Sequence, residues 1–248
     1  MSAPATFESF ERELNRLVEQ FGRHLAVYKG GPYDEANVRK DFLDPFFRAL
    51  GWDMDNRAGL IPNEREVEIE SRTQIGGRNK RADYLFRADR RPRFVCEAKK
   101  PAEELDFRYA FQAKRYAWNK GVPVAVLTDF EELKIYVVGG RPYRDQPEVG
   151  QWKVWHFRQF PLVARELWEL LSREAVAGGQ LDRLIDALPK KPAGKGKAKQ
   201  QWLLKPDRTR ALDTDFLNFL DEARQELARD LYRLNDHDAL LADNRLNE

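Results

Sequence analysis

Asp83-Tyr84-Leu85-Phe86 and Phe94-Val95-Cys96-Glu97-Ala98-Lys99 are two short runs whose reading decides the fold. Each is rich in aromatic and branched apolar residues, as strands are. A polar turn from Arg90 to Pro92 separates them, and Pro101 stops the second. Side chains two apart on a strand share a face. Glu97 and Lys99 therefore emerge together with Ala98 turned away, and Asp83 reaches the same place if the strands are neighbours. Phe94-Val95-Cys96 is too apolar for a peripheral strand, so Glu97 is expected at the mouth of a buried one. Cys96 then points into the core as a small apolar group.

Outward from this pair the period changes. Upstream, Phe7, Phe10, Leu14, Leu17, Val18, Phe21 and Leu25 recur at three- and four-residue steps. They predict an amphipathic helix from Thr6, its N-cap, to Tyr28. A second helix is expected from Asp34 to Leu50, kinked or broken at Pro45 and ended by Gly51. Val67 and Ile69 alternate with charges like a strand, and the Gly-rich basic loop Gly76 to Arg81 leads into the Asp83 strand. Downstream, Asp106 to Trp118 reads as a helix stopped by Gly121. Val122–Leu127, Leu133–Val138 and Trp152–Phe157 read as strands, and Phe160–Leu171 and Gln180–Leu188 as helices. Pro189 to Lys199 has no apolar anchor and reads as a flexible basic linker. Asp213 to Leu234 is strongly periodic and predicts a further helix. This order predicts an α/β fold, a mixed central sheet flanked by helices.

The 248 residues suffice for one sizeable α/β core with extra helices. With 42% hydrophobic and 34% charged residues the chain is globular in composition. A net charge of +2 does not itself indicate nucleic acid, so any such surface must come from local clustering of Lys and Arg. The single cysteine excludes an internal disulfide and a Cys-rich zinc site, making intracellular residence the default. No signal peptide or membrane-length apolar run is visible. His24, His156 and His237 are scattered and receive no role.

Two carboxylates and an ammonium in one place admit two readings. One is a solvated strand face with an ordinary Glu97–Lys99 ion pair worth little. The other is a site in which Asp83, Glu97 and the Ala98 carbonyl bind a hard cation such as Mg²⁺. That cation polarises a phosphate oxygen and acidifies a water, and Lys99 orients the water. The apolar setting of Glu97 weighs against the first.

Asp83 followed by Glu97-Ala98-Lys99 resembles the PD-(D/E)XK nucleases, and Gln112-Ala-Lys-Arg-Tyr116 looks like the Q-x-x-x-Y motif of their RecB-like branch. The neighbouring Arg81-Ala-Asp-Tyr84, Cys96-Glu-Ala-Lys-Lys-Pro101 and Leu127-Thr-Asp-Phe130 are similar to the N-terminal part of Type IIG restriction–modification proteins. They are less closely similar to the start of Type I restriction R subunits. The likeness extends upstream to Val38–Trp52 and downstream to Asp215–Asn235. Ala82 stands where the family has its leading proline, a position that does not touch the metal.

The resemblance implies a restriction-endonuclease-like fold with a C-terminal helical extension. It also implies Mg²⁺-dependent hydrolysis of double-stranded DNA in a bacterial cytoplasm, with Mn²⁺ able to substitute. Gln112 would hold the Glu97–Lys99 backbone or a phosphate, Tyr116 would contact substrate, and Arg108 lies one turn earlier on the same face. Glu35 either reaches a metal water or favours its helix dipole. The Gly76–Arg81 loop and Lys100, Lys114, Arg115 and Lys120 are expected near DNA phosphates. The expected organisation is a nuclease domain over 1–188, a linker over 189–205 and a helical connector over 206–248. Type IIG proteins continue into an adenine methyltransferase and a target-recognition domain. This chain has neither a Gly-rich S-adenosylmethionine loop nor Asn-Pro-Pro-Tyr, so it is expected to be an excised or naturally separate fragment. Those domains are then partners, covalent or as a subunit, and a transient dimer on DNA is expected. A phosphate-binding Gly-x-x-x-x-Gly-Lys-Ser/Thr loop is missing, so no ATP site is expected. The competing class is a catalytically silent DNA-binding or assembly module with the same fold.

Overall fold

The computed structural model describes residues 5–75, 78–144 and 149–188, with side chains of 71–81 left aside. The linker and connector expected over 189–248 lie outside the described residues. Six strands form one mixed sheet in sequential order: β1 (Val67–Ile75), β2 (Arg78–Ala88), β3 (Arg91–Ala98), β4 (Val124–Thr128), β5 (Glu132–Val137) and β6 (Gln151–His156). All neighbours are antiparallel except β3 and β4, which run parallel. The parallel pair needs a crossover, and α5 (Phe107–Asn119) provides it.

Alternation along the buried strands divides the core in two. Phe94, Cys96, Val124, Val126 and Ile135 face one side, packed with α1 (Phe7–Arg23), α4 (Asp44–Ala49), α6 (Ala164–Leu171), α7 (Arg173–Ala177) and α8 (Gln180–Asp186). Val95, Ala125, Leu127 and Tyr136 face the other, where the alanine-rich flank of α5 lies close. Phe86 and Phe94 are cross-strand partners with stacked rings 4.3 Å apart. This is the expected architecture, an α/β fold with helices on both faces of a mixed sheet.

Several boundaries differ from the sequence reading: the helix expected from Phe160 begins at Ala164, after a 3-10 turn over Phe157–Gln159, the strand expected from Val122 begins at Val124, and three others have a local cause. The first helix ends at Arg23, and a separate turn, α2 (Leu25–Tyr28), follows His24. The Asp83 strand starts five residues earlier, at Arg78, because its backbone pairs with β1 from Arg78↔Ile75 onward. The third concerns Pro45. The helix begun by α3 (Glu35–Val38) continues through a π-helical turn, Arg39–Leu43, into α4, with Pro45 in the first turn of α4. Proline has no amide to donate and its ring crowds the carbonyl four residues back. Widening the preceding turn, where the Asp44 amide donates to Arg39 O, meets that constraint without ending the helix. The hairpin β2–β3 turns on Asp89 and Arg90, both with positive φ, as tight primed turns require. Gly51 and Gly121, with φ of +92° and +65°, follow α4 and α5 as expected of helix stops.

The β4–β5 hairpin carries a buried acid. The Asp129 carboxylate accepts the Glu132 amide at 2.7 Å, while the Thr128 hydroxyl donates to Glu132 O at 2.6 Å. Phe130 takes φ +69° there, held by rings of Phe21, Phe42 and Phe160. Burial pushes the Asp129 carboxyl up to about 7 despite the Glu132 amide, and Glu131 adds repulsion. A carboxyl raised on folding lends its full stability below its ordinary value and loses it as pH climbs toward 7. Asp129→Asn keeps the acceptor and removes the charge, so urea unfolding should show it about 1–2 kcal/mol more stable than wild type at pH 8, with the gap shrinking as pH falls below 7 and closed at about pH 3.5. A gap of the same size at both values would show that charge is not the cause.

Candidate active site

The site forms where β2 and β3 part. Their pairing ends at Tyr84↔Cys96, so the next pair in register, Asp83 and Glu97, lies just past the end of the ladder. The Asp83 carboxylate fills the gap, accepting the Ala98 amide at 2.8 Å. On its other side β3 stays anchored to β4, where the Lys99 amide donates to Thr128 O at 2.9 Å. Glu97 continues the face of Val95, toward α5, and only 2% of it is exposed.

Lys99 is 7% exposed and serves as counter-ion to two acids. Its Nζ lies 2.8 Å from Glu97 Oε1 and 3.2 Å from Glu35 Oε2. Its ammonium also sits 5.2 Å from the Tyr109 ring centre. Gln112 donates from Nε2 to Glu97 Oε1 and lies 3.4 Å from the Tyr116 hydroxyl. Asp83, Glu97, Lys99, Glu35, Gln112 and Tyr116 thus come together. Gln112 reaches the Glu97 carboxylate itself rather than the backbone, and Tyr116 stands behind Gln112. Arg108 turns away, pairing with Asp106 at 2.7 Å. Lys114 is buried, with its Nζ donating to Val149 O, and Lys100 pairs with Glu103. Long lysine stems on a helix packed against a sheet snorkel along it to a carbonyl or acid, which residue type alone does not reveal.

The electrostatics are those of crowded anions. Burial raises the Glu97 carboxyl to about 8, with Asp83 adding to it. Burial also lifts Asp83 to about 6, and Glu35 adds to that. Burial works against the Lys99 ammonium, but Glu97, Glu35 and Asp83 outweigh it and hold it above its ordinary value. Glu97 Oε2 is a buried acceptor without a hydrogen-bond partner. Such an atom signals a missing water or ion. Among the described residues no three acid, histidine or cysteine side chains already converge as a cage. A cation would therefore draw on two carboxylates and backbone or solvent oxygen, which suits a hard divalent ion. The donor chemistry fits.

Further contacts around the acids are not legible in the sequence. From the π-helical turn, Arg39 Nη1 stands 3.7 Å from Asp83 Oδ1 and its guanidinium 5.0 Å from the Tyr84 ring centre. The Tyr84 hydroxyl donates to Asp44 Oδ1 at 2.7 Å. The four-residue step from Glu35 to Arg39 was the available signal, since both then share one helix face. Tyr109, three residues before Gln112, carried the same kind of signal.

With this geometry in place, the likenesses to known proteins become specific. Residues 32–144 match the family model described as Type I restriction enzyme R protein N terminus. That segment runs from before Glu35 to beyond Tyr116. Type II restriction enzyme and methyltransferase RM.Eco57I of Escherichia coli is 33% identical over 175 residues, which is 68% of this chain. The chain spans 18% of that relative's length. No solved structure matches. The fold and these matches support the expected class, the nuclease domains of restriction–modification enzymes. Among the described residues no helix is long and apolar enough to cross a membrane.

Burial raises the Asp44 carboxyl, and the Tyr84 hydroxyl works against that rise. Tyr84→Phe leaves this acid without its donor, so chemical denaturation should show a loss of about 1–3 kcal/mol. An unchanged midpoint would show that the Tyr84–Asp44 bond does not support β2.

Proposed function

We propose that the chain is a divalent-metal-dependent endonuclease unit that hydrolyses phosphodiester bonds of double-stranded DNA, the cleavage part of a Type IIG-like restriction–modification enzyme. The observation that carries this is Glu97: a buried carboxylate with an unpartnered oxygen, set beside Asp83 and Lys99. A surface ion pair would be solvated, and a purely structural one would satisfy both oxygens.

Asp83, Glu97 and the Ala98 carbonyl would hold Mg²⁺ or Mn²⁺, with Glu35 placed to engage a coordinated water. When bound, the ion supplies Lewis acidity at a phosphate oxygen and acidifies water. Gln112 and Lys99 fix the Glu97 carboxylate so that its free oxygen keeps one direction. Lys99 has three donors and spends two on Glu97 and Glu35, leaving one for the attacking water or a non-bridging oxygen. Water adds to phosphorus as the P–O3′ bond breaks, giving a 5′-phosphate and a 3′-hydroxyl. Positioning and charge stabilisation carry such a transfer.

The relative's name joins restriction enzyme and methyltransferase. A methyltransferase and a target-recognition module are therefore the proposed partners, and S-adenosylmethionine belongs to the former. Two-strand cleavage calls for two such sites, met by a transient dimer on DNA. The family match to the Type I R protein favours a second assignment of the same chemistry, to the nuclease domain of such a subunit.

Supercoiled plasmid with Mn²⁺ or Mg²⁺ tests the reading. Wild type should nick weakly and without sequence preference. Asp83→Ala and Lys99→Ala should each lower the rate by at least about 100-fold, as loss of an electrostatic stabiliser does. Metal-dependent nicking that persists in both variants removes the assignment.

A further inference from the structure

Beside the carboxylates, on the outer side of α5, lies a cavity of about 350 Å³. Phe107, Phe111, Arg115 and Arg144 line it, together with Gln112 and Tyr116. Gln112 is the wall shared with the active site, because the same side chain bonds Glu97. The lining is unusual for a helix surface. Phe107 is 54% exposed, and the guanidinium groups of Arg115 and Arg144 lie 5.9 and 5.5 Å from the Phe111 ring centre. Neither arginine has an acidic partner among the described residues. Arg108 also reaches the rim, but its guanidinium is paired with Asp106.

We propose that this cavity receives one nucleotide turned out of the DNA stack next to the scissile phosphate, a reading that rests on the nuclease assignment above. The base stacks on Phe111, and Arg115 and Arg144 hold the flanking phosphates. Flat aromatic surface with unpaired guanidinium groups is the chemistry of single-strand recognition, in which stacking supplies sequence-tolerant affinity. Among the described residues no aliphatic side chain lines the cavity, as a groove for an apolar peptide would need, and no acid lines it. The volume lies at the small end of ligand pockets and excludes a duplex. Enzymes that do chemistry on a base extrude its nucleotide into such a pocket; here, where the phosphate is already reachable, the captured nucleotide would serve to position it. The shared Gln112 places the extruded nucleotide against the reacting phosphate, so filling the cavity and fixing Glu97 become one event.

The test uses the full chain in EDTA with oligonucleotides carrying 2-aminopurine, whose fluorescence falls when it stacks. Binding of wild type to a single strand, or to a duplex with one unpaired 2-aminopurine, should quench it, and a fully paired duplex should bind less tightly. Phe111→Ala should abolish the quench and weaken single-strand binding by about 10-fold to 100-fold. Phe111→Trp should retain both. Arg144→Ala should lower the slope of log affinity against log salt by about 0.7. Unchanged quench and affinity in Phe111→Ala overturn the proposal, as does equal competition by polyglutamate, which would mark a protein partner. Quench that persists in a protein unable to nick plasmid with Mn²⁺ sinks the catalytic reading and leaves the cavity site. Nicking without quench does the reverse.

Discussion

A carboxylate kept almost wholly from water organises this protein. Burying an unpaired ion costs several kcal/mol even after relaxation, so Glu97 can lie at the end of β3 only with its partners in place. Lys99 and Gln112 meet Glu97 Oε1, one from the same strand face and one from the helix packed on it. The other oxygen is left without a partner. That asymmetry separates a site from a structural ion pair: one oxygen fixes the group, and the second stays available.

Each layer of the fold contributes to this arrangement. The parallel pairing of β3 with β4 brings α5 across one face and sets Gln112 over Glu97. The helices of the opposite face send Glu35 and Arg39 to the same end of the sheet. The π-helical turn ahead of Pro45 lets one helix begin with Glu35 and still pack Phe42, Phe46 and Phe47 into the core. Aromatic packing then holds the frame, with Phe47, Trp52, Phe86 and Phe94 in contact behind the strands and the Trp52 indole donating to Leu171 O.

A chain with a net charge of +2 still presents locally concentrated charge. Acids gather at the parted strands, and arginines gather on the exposed flank of α5 with aromatic rings among them. A phosphodiester substrate needs both within a few ångströms: cations and a divalent ion for the phosphate, and carboxylates to hold that ion.

The sequence by itself determined the α/β class, the strand pair and the shared face of Glu97 and Lys99. Period-two alternation fixes which side chains leave a strand together, and Phe94-Val95-Cys96 announces burial. It also determined that Gln112 and Tyr116 share a helix face. Only the tertiary structure decided that Gln112 meets the Glu97 carboxylate, that Glu35 and Arg39 approach Lys99 and Asp83, and that Lys114 spends its charge on a backbone carbonyl. It alone joined Arg144 to Phe111, thirty-three residues apart in the chain. The physical reason is one of range. Backbone geometry sets spacing over two to four residues, whereas contacts between elements depend on how the layers pack, and no local pattern encodes that.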